Sequence, residues 1–540
     1  MKIQNGECIM GAVSGDASLA VREAVDYCLK QNIKRLTLEK GEYHFYPETA
    51  AEDENCCVSN HGHNGYKRTA FLITDADGLT VDCSGSLLVF HGAMNAFIVR
   101  RCKNTELKNF RILFEKTLHG QFRVTASGED YVEITQDGAQ GYAYENGLLC
   151  LENEQGTRNV VYSCLEKRES GEFAYGEQCF GRDFLYLKNE DRGNGTVRIY
   201  NPDRKPATGN YVILIAAERY SNAVLLLESE NVRVSGACVH SCYGIAYHAQ
   251  LCKNVELIHC KTLPYRGRCF SANADASHFV GCRGTVRLAG CEFNEQLDDG
   301  SNIHGAYTKI IAKDSESVIV KYMHYQCRGI NIFEDGCTVK ALDPQSLIPH
   351  KTARVKRAET LNTESTRLYL EGGTDGFEKG ELIDSVDFYP DVIIEDCRFV
   401  NNRGRGILAA SEKRTLIRNN YFRVSGTAVN LESDSVYWYE SGRIGELVIE
   451  NNVFDNCCSA QPHGWGNDVI YASPREKTED GKYFHGSIII RNNNFSSCSV
   501  PAVNIENAEY IEVKNNKLYG TGENIRIFHC KNENISNNSY

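Results

Sequence analysis

Three stretches near the C-terminus decide the fold: Ile490-Arg-Asn-Asn493, Val513-Lys-Asn-Asn516 and Ile535-Ser-Asn-Asn538. Their Asn-Asn pairs begin at 492, 515 and 537, in steps of 23 and 22 residues. A short β-branched run closed by Asn or Gly, repeated with a period of 20–30 residues, is the pattern of a parallel β-helix. Each coil is too small to bury its own apolar face, so coils stack and share one continuous core. The same period separates Asp275 from Asp298, in Ser271-Ala-Asn-Ala-Asp-Ala-Ser-His278 and Asn294-Glu-Gln-Leu-Asp-Asp-Gly-Ser-Asn-Ile-His-Gly305. The period therefore predicts these carboxylates on adjacent coils, with backbones roughly 4.8 Å apart.

Outward from that core the chain divides into five segments. Residues 1–113 hold a capping helix and the first coils. From Asp16, read as the N-cap, to about Leu29, the apolar residues Val21, Ala24, Val25, Cys28 and Leu29 keep helical spacing, and a helix here would plug the open end of the solenoid. Short strands follow, including Arg35-Leu-Thr-Leu38 and Ala96-Phe-Ile-Val99. Over 114–219 the rhythm breaks into alternating runs such as Tyr131-Val-Glu-Ile-Thr135, which predicts an inserted antiparallel barrel or sandwich. Coils resume over 220–308, a second β insertion is expected over 309–388, and coils continue over 389–540, stretched by loops near 432–443 and 456–486. The fold class is all-β.

Composition narrows the partners. A net charge of −12 argues against nucleic acid and anionic membranes, whose ligands carry a basic stripe. No apolar run is long enough to predict a membrane-spanning helix. The 23 cysteines include no Cys-x-x-Cys pair and mostly sit in apolar strand patterns, so they read as small buried hydrophobes rather than metal ligands or disulfides. Many free thiols and the lack of a sustained apolar leader predict a cytoplasmic protein, with secretion by another route left open.

Two carboxyl groups flanking a glycosidic bond can protonate the leaving oxygen and activate water, and clustering raises one pKa so that one acid keeps its proton. Asp275, Asp298 and Asp299, with His304 close by, form such a cluster. The pattern Asn-x-Asp on one coil and Asp-Asp on the next resembles the polygalacturonase-type, pectin-lyase-like β-helix hydrolases. A fuller resemblance is to glycoside hydrolase family 110. It is carried by Tyr43-His-Phe-Tyr-Pro47, Ser59-Asn-His61, Lys67-Arg-Thr-Ala-Phe71, Phe90-His-Gly-Ala-Met94, Asn273-Ala-Asp-Ala-Ser-His278, Gln296-Leu-Asp-Asp-Gly-Ser-Asn-Ile-His304, Asn401-Asn-Arg-Gly-Arg-Gly406 and Tyr437-Trp-Tyr-Glu-Ser-Gly442. These segments span nearly the whole chain in the family's order.

The resemblance implies a right-handed β-helix and inverting, exo-acting release of terminal α-1,3-linked galactose, on a linear or a fucose-branched (blood-group-B-type) glycan. It implies no metal and no cofactor. It places Asp275, Asp298 and Asp299 in the acidic centre and adds Glu334. Glu334 or Asp298 would donate the proton, and Asp299 assisted by Asp275 would orient water. Candidate sugar-binding residues are Asn60, His61, Arg68, His304, Arg403, Trp438 and Glu440, and the inserted barrel offers a surface for a homodimer. Two segments depart from the family pattern: Leu113-Phe114-Glu115 stands where Asp-Trp-Glu is expected, and Gly62 follows Ser-Asn-His. Rival readings are a uronide hydrolase of the polygalacturonase type, whose anionic substrate suits the −12 balance poorly, a calcium-dependent lyase, and a non-catalytic carbohydrate-binding β-helix.

Overall fold

The computed structural model describes residues 1–60, 65–216, 219–460, 465–473, 481–520 and 525–540. The chain is a right-handed parallel β-helix carrying two β insertions. Among the described residues, two long sheets of 23 and 13 strands run along the helix axis. In the tail, Ile490 pairs with Val513 and Val513 with Ile535, so the pairing follows the 23- and 22-residue steps.

The Asn-Asn pairs explain why the coils turn where they do. The first Asn of each pair is left-handed: φ is 57° at Asn419, 58° at Asn451, 56° at Asn492 and 57° at Asn515. Asparagine tolerates that region better than other residues with a Cβ. The second Asn points inward and forms a ladder. Asn420, Asn452, Asn493 and Asn516 each donate Nδ2–H to the Oδ1 of the Asn on the next coil at 3.0 Å. Buried amides are thus paired along the whole stack, which their desolvation requires. Toward the N-terminus cysteines take over this position: Cys397 donates its N–H to Asn420 Oδ1 at 2.8 Å, and Cys291 donates to Cys397 Sγ at 3.3 Å. Beside the ladder, Phe399, Phe422, Phe454 and Phe495 stack with ring centres 5.0, 5.0 and 4.7 Å apart. Each buried ring contributes about 1.5–3 kcal/mol, so the repeat is held by in-register side chains as well as by backbone bonds.

The helix Ser18–Gln31 packs Val21, Ala24, Val25 and Cys28 onto the first coils. Its N-cap is Ala17 rather than Asp16, whose Oδ1 instead accepts the Ser18 N–H at 2.9 Å. Among the described residues, the first insertion, between strands Lys103–Phe114 and Val224–Leu227, consists of a six-stranded and a three-stranded antiparallel sheet, neither of them closed. The second is a closed six-stranded barrel running from Thr308–Lys313 to Leu382–Ser385, with its own core of Val318, Val320, Val339, Val355 and Leu368. Both insertions, together with a loop ending at Glu440–Ser441, rise beside the 13-stranded sheet.

Candidate active site

Four charged side chains leave the same turn of three consecutive coils, just before a strand of the 13-stranded sheet. Asp275 precedes Ser277–Val280, Asp298 and Asp299 precede Ser301–Ala306, and Arg405 precedes Ile407–Ala409. The step between the first two coils here is 24 residues rather than 23, because Ser277 pairs with Ser301. Asp275 therefore stacks under Asp299, and Asp298 lies one residue back. The backbone ladder continues through the turn: Ala276 N–H donates to Asp299 O at 2.9 Å and Gly300 N–H to Arg405 O at 2.9 Å. These four side chains thus sit on rigid coil backbone rather than on a free loop.

Asp299 is buried and held on both oxygens. Its Oδ1 accepts from the Arg405 backbone N–H (2.6 Å) and Nε (3.1 Å), and its Oδ2 accepts from Nη2 (2.9 Å). Burial pushes its pKa up to about 7 against the lowering by Arg405. Burial, then the charge of Asp298, pushes Asp275 up to about 8. These values belong to the coupled cluster, which keeps at least one proton at neutral pH. Asp298, with 14% of its side chain exposed against 3–4% for its neighbours, pairs with Arg219 from the end of the first insertion. The guanidinium of Arg219 is held above its usual range, the pull of the three acids overcoming burial.

Behind the acids runs a buried relay. Asp275 Oδ2 is 2.6 Å from His278 Nδ1, His278 Nε2 is 2.9 Å from His304 Nε2, and His304 Nδ1 meets Gly305 O. Burial, then His304, pushes His278 down to about 3, so its ring is neutral at physiological pH. One arrangement satisfies these three contacts: protonated Asp275 donates to His278 Nδ1, His278 Nε2–H donates to His304 Nε2, and His304 Nδ1–H donates to the carbonyl. Glu440, fixed by the antiparallel pairing of Ala306 with Glu440, stands 3.4 Å from His304 Nε2. It also accepts from Asn60 Nδ2 and Asn302 Nδ2, each at 3.4 Å.

The structure brings Asp275, Asp298, Asp299, Asn60, Trp438 and Glu440 to one pocket. His304 lies one layer behind it. Arg403 lines the neighbouring cavity and donates to Gly176 O at 2.7 Å. Two expected residues lie elsewhere. Glu334 is half-exposed on the barrel, in an ion pair with Arg283 at 2.6 Å, so the acidic centre does not include it. Arg68 donates to Pro47 O and Tyr66 Oη, both at 2.8 Å, and does not reach the pocket. His61 lies outside the described residues.

Lining residues that were not anticipated include Arg219, Asn302, Leu408, Glu432, Asp434 and Trp465. Trp465 is the second of the two tryptophans, the one signal that could have flagged it. Asp434 shapes the loop that presents Trp438, accepting the N–H groups of Val436, Tyr437 and Trp438 at 2.7–2.9 Å.

Two groups here bring ligand atoms within 4.8 Å of one another: Asp275 with Asp298 and Asp299, and His278 with His304 and Glu440. Two guanidinium groups already balance the three aspartates, and both nitrogens of His278 have partners. This donor set suits proton transfer better than a cation.

Residues 317–383, within the closed barrel, match the family model described as GLAA-B beta-barrel domain II. The chain is 29% identical to Alpha-1,3-galactosidase A of Shewanella woodyi, over 94% of this chain and 84% of that protein. It is 26% identical to Alpha-1,3-galactosidase B of Bacteroides thetaiotaomicron, over 96% and 87%. Among solved structures, an exopolygalacturonase from Thermotoga maritima superposes with a TM-score of 0.44 at 12% identity, covering 99% of this chain and 93% of that one.

Proposed function

We propose that the protein is a glycoside hydrolase that releases terminal α-1,3-linked galactose from oligosaccharides or glycoconjugates, acting from the chain end with inversion and without a metal. The observation that carries this reading is the stack of Asp275, Asp299 and Arg405 with Asp298 at its mouth, inside a pocket walled by Trp438 and Trp465. The relatives named alpha-1,3-galactosidase and the resemblance to glycoside hydrolase family 110 supply the sugar and the linkage.

In this reading Asp298, the least enclosed acid, takes up the proton that the cluster keeps and passes it to the glycosidic oxygen. Arg219 beside it steadies the negative charge left when the proton departs. Asp299, aimed by Arg405, accepts a proton from the attacking water. Asp275 and its histidine relay hold that base in place and keep a proton within the cluster. The aromatic faces of Trp438 and Trp465 fit the C–H face of a galactose ring, and Asn60, Asn302 and Glu440 meet its hydroxyls.

A second stereochemical course has one observation behind it. Oxygens of the three carboxyl groups lie within 4.8 Å, nearer the roughly 5–5.5 Å of retaining pairs than the roughly 6.5–9.5 Å of inverting ones. Anomer-resolved NMR of the first product separates the two: β-galactose supports inversion, and α-galactose replaces it with retention. For the reaction itself, p-nitrophenyl α-galactoside and an α-1,3-galactosyl disaccharide are incubated with wild type and Asp298→Asn. On the disaccharide, whose leaving oxygen needs the proton, a fall of about 10²–10⁴ in kcat is expected, with a smaller loss on the aryl galactoside, whose phenolate leaves unprotonated; undiminished release from the disaccharide would remove Asp298 from the chemistry.

A further inference from the structure

We propose that the part of the glycan beyond galactose lies along the C-terminal coils, in a second cavity whose floor is Asn430, Tyr471, Asn504 and Arg526. This rests on the galactosidase reading above.

His278 pairs with Asn302 and Asn302 with Leu408, and these three line the acid pocket. The same column continues without a break: Leu408 pairs with Asn430, Asn430 with Tyr471, Tyr471 with Asn504, and Asn504 with Arg526. Successive positions on one face of paired strands lie about 4.8 Å apart, so the last four span about 14 Å. They floor a cavity of about 540 Å³ that shares Arg405, Glu432, Trp438 and Trp465 with the acid pocket. One polar trough therefore runs from the acids toward the C-terminus.

The opposite end of the column is shut. His278 pairs in the other direction with His248, which is fully buried. Ser59 lies over it, with Oγ 3.3 Å from His248 Nε2 and its N–H on Gln250 Oε1 at 2.8 Å. The next residue, Asn60, donates its N–H to Gln326 O of the second insertion at 3.0 Å. A sugar chain entering along this column meets a wall just past the acids. Only its terminal ring fits at the blind end, and the remainder points toward Arg526.

The lining indicates what that remainder is. Asn430, Thr427, Asn504 and Tyr471 are neutral hydrogen-bonding groups suited to sugar hydroxyls or amides. Asp468 is buried, and its Oδ1 accepts no hydrogen bond among the described residues, which fits an acceptor for a sugar O–H. The nearest guanidinium nitrogen of Arg526 lies 4.0 Å from that oxygen. The occupant is thus the neutral penultimate part of a glycan. The smaller cavity of about 290 Å³ between the insertions, lined by Tyr162, His119 and Asn273, would hold none of it.

The test compares kcat/KM on p-nitrophenyl α-galactoside, whose leaving group is too short to reach Asn504, with that on a trisaccharide ending in α-1,3-galactose. Asn504→Ala and Arg526→Ala should each lower the trisaccharide value about five- to tenfold, the size of one lost hydrogen bond. The aryl galactoside value should move less than twofold, which also shows that each variant is folded. Tyr162→Ala, in the other cavity, should leave both values within twofold. Equal losses on both substrates, no loss on either, or selective loss in Tyr162→Ala would overturn the assignment. If wild type cleaves neither substrate, the galactosidase reading has failed instead.

Discussion

Replacing Arg405 by Met should turn a functioning base into a neutral acid, and the size of the effect can be worked from contacts. The variant keeps the backbone N–H bond to Asp299 Oδ1 but loses the Nε bond at 3.1 Å and the Nη2 bond at 2.9 Å. Hydrogen bonds to a charged group contribute about 1.5–3 kcal/mol each. Two that share one guanidinium are not independent, so about 3 kcal/mol is a fair total, or about 2 pKa units at 1.36 kcal/mol per unit. With Asp299 already pushed up to about 7 by burial, the variant carboxyl moves to about 9. Its ionised fraction at pH 7 then falls from about half to about one part in a hundred, and kcat falls about fiftyfold.

The sign follows from which form Arg405 favours. It stabilises the charged carboxylate, so its loss is felt while Asp299 is protonated and fades as alkali removes that proton. The measurement is kcat on p-nitrophenyl α-galactoside from pH 6 to 9 for both proteins. The ratio of variant to wild type should climb about fivefold per pH unit between pH 7 and the new pKa. Using the ratio cancels the alkaline loss of the proton donor, which both proteins share. A ratio that stays flat with pH, or one above about one-fifth at pH 7, would falsify the role given to Asp299.

Three further outcomes follow from the same geometry. Glu334→Gln should leave kcat/KM on the aryl galactoside within about twofold of wild type, since its partner Arg283 is on the outer surface and one exposed pair contributes little; a loss beyond tenfold would return Glu334 to the chemistry. Gly404→Ala places a Cβ against Asp299 Oδ1 and 3.0 Å from the Asp298 carbonyl carbon, so kcat should fall at least tenfold while the circular dichroism spectrum is kept; wild-type kcat would show that the turn can shift freely. Asn493→Ala removes donors to Ile449 O and Asn516 Oδ1 and strands two bonds from Asn452; with about 1–3 kcal/mol per unsatisfied buried group, a loss of about 3 kcal/mol in urea unfolding is expected, and an unchanged midpoint would mean the ladder is dispensable.

How much of this could be read from the chain depends on the range of the interaction. The coil period was legible because two adjacent asparagines do two local jobs: one takes φ near 57°, and the next bonds to its copy one coil away. The acids were legible because they repeat across coils in similar sequence. The single-residue change of step, 23 to 24, was not. It reflects the length of turn between strands that the repeat does not constrain, and it decides that Asp299, rather than Asp298, stacks over Asp275. Arg219 and Trp465 were invisible for a different reason. Each reaches the pocket by a contact far along the chain: Arg219 bonds to Asp298 across 79 residues, and Trp465 Nε1 donates to Gly176 O across 289. Glu334 shows the opposite failure, in which a motif in the right order was taken for a position in the right place. The barrel that carries it closes on its own core, so its neighbours in sequence do not become neighbours of the acids.

That division has a consequence for specificity. The residues proposed to break the bond come mainly from the repeat, whose stacked strands hold their spacing without help. The residues that wall the pocket come from what interrupts the repeat: Arg219 from the first insertion, Asn60 and Gln326 at the blind end, and Trp438 and Trp465 from stretched coils. A bare solenoid trough is open at both ends and suits a polymer. Here the Ser59–Asn60 loop closes one end against His248 and Gln326. Shortening that loop should therefore leave the acids in register and alter only where along a glycan they can act, with galactose inside a chain becoming accessible as well as galactose at its end.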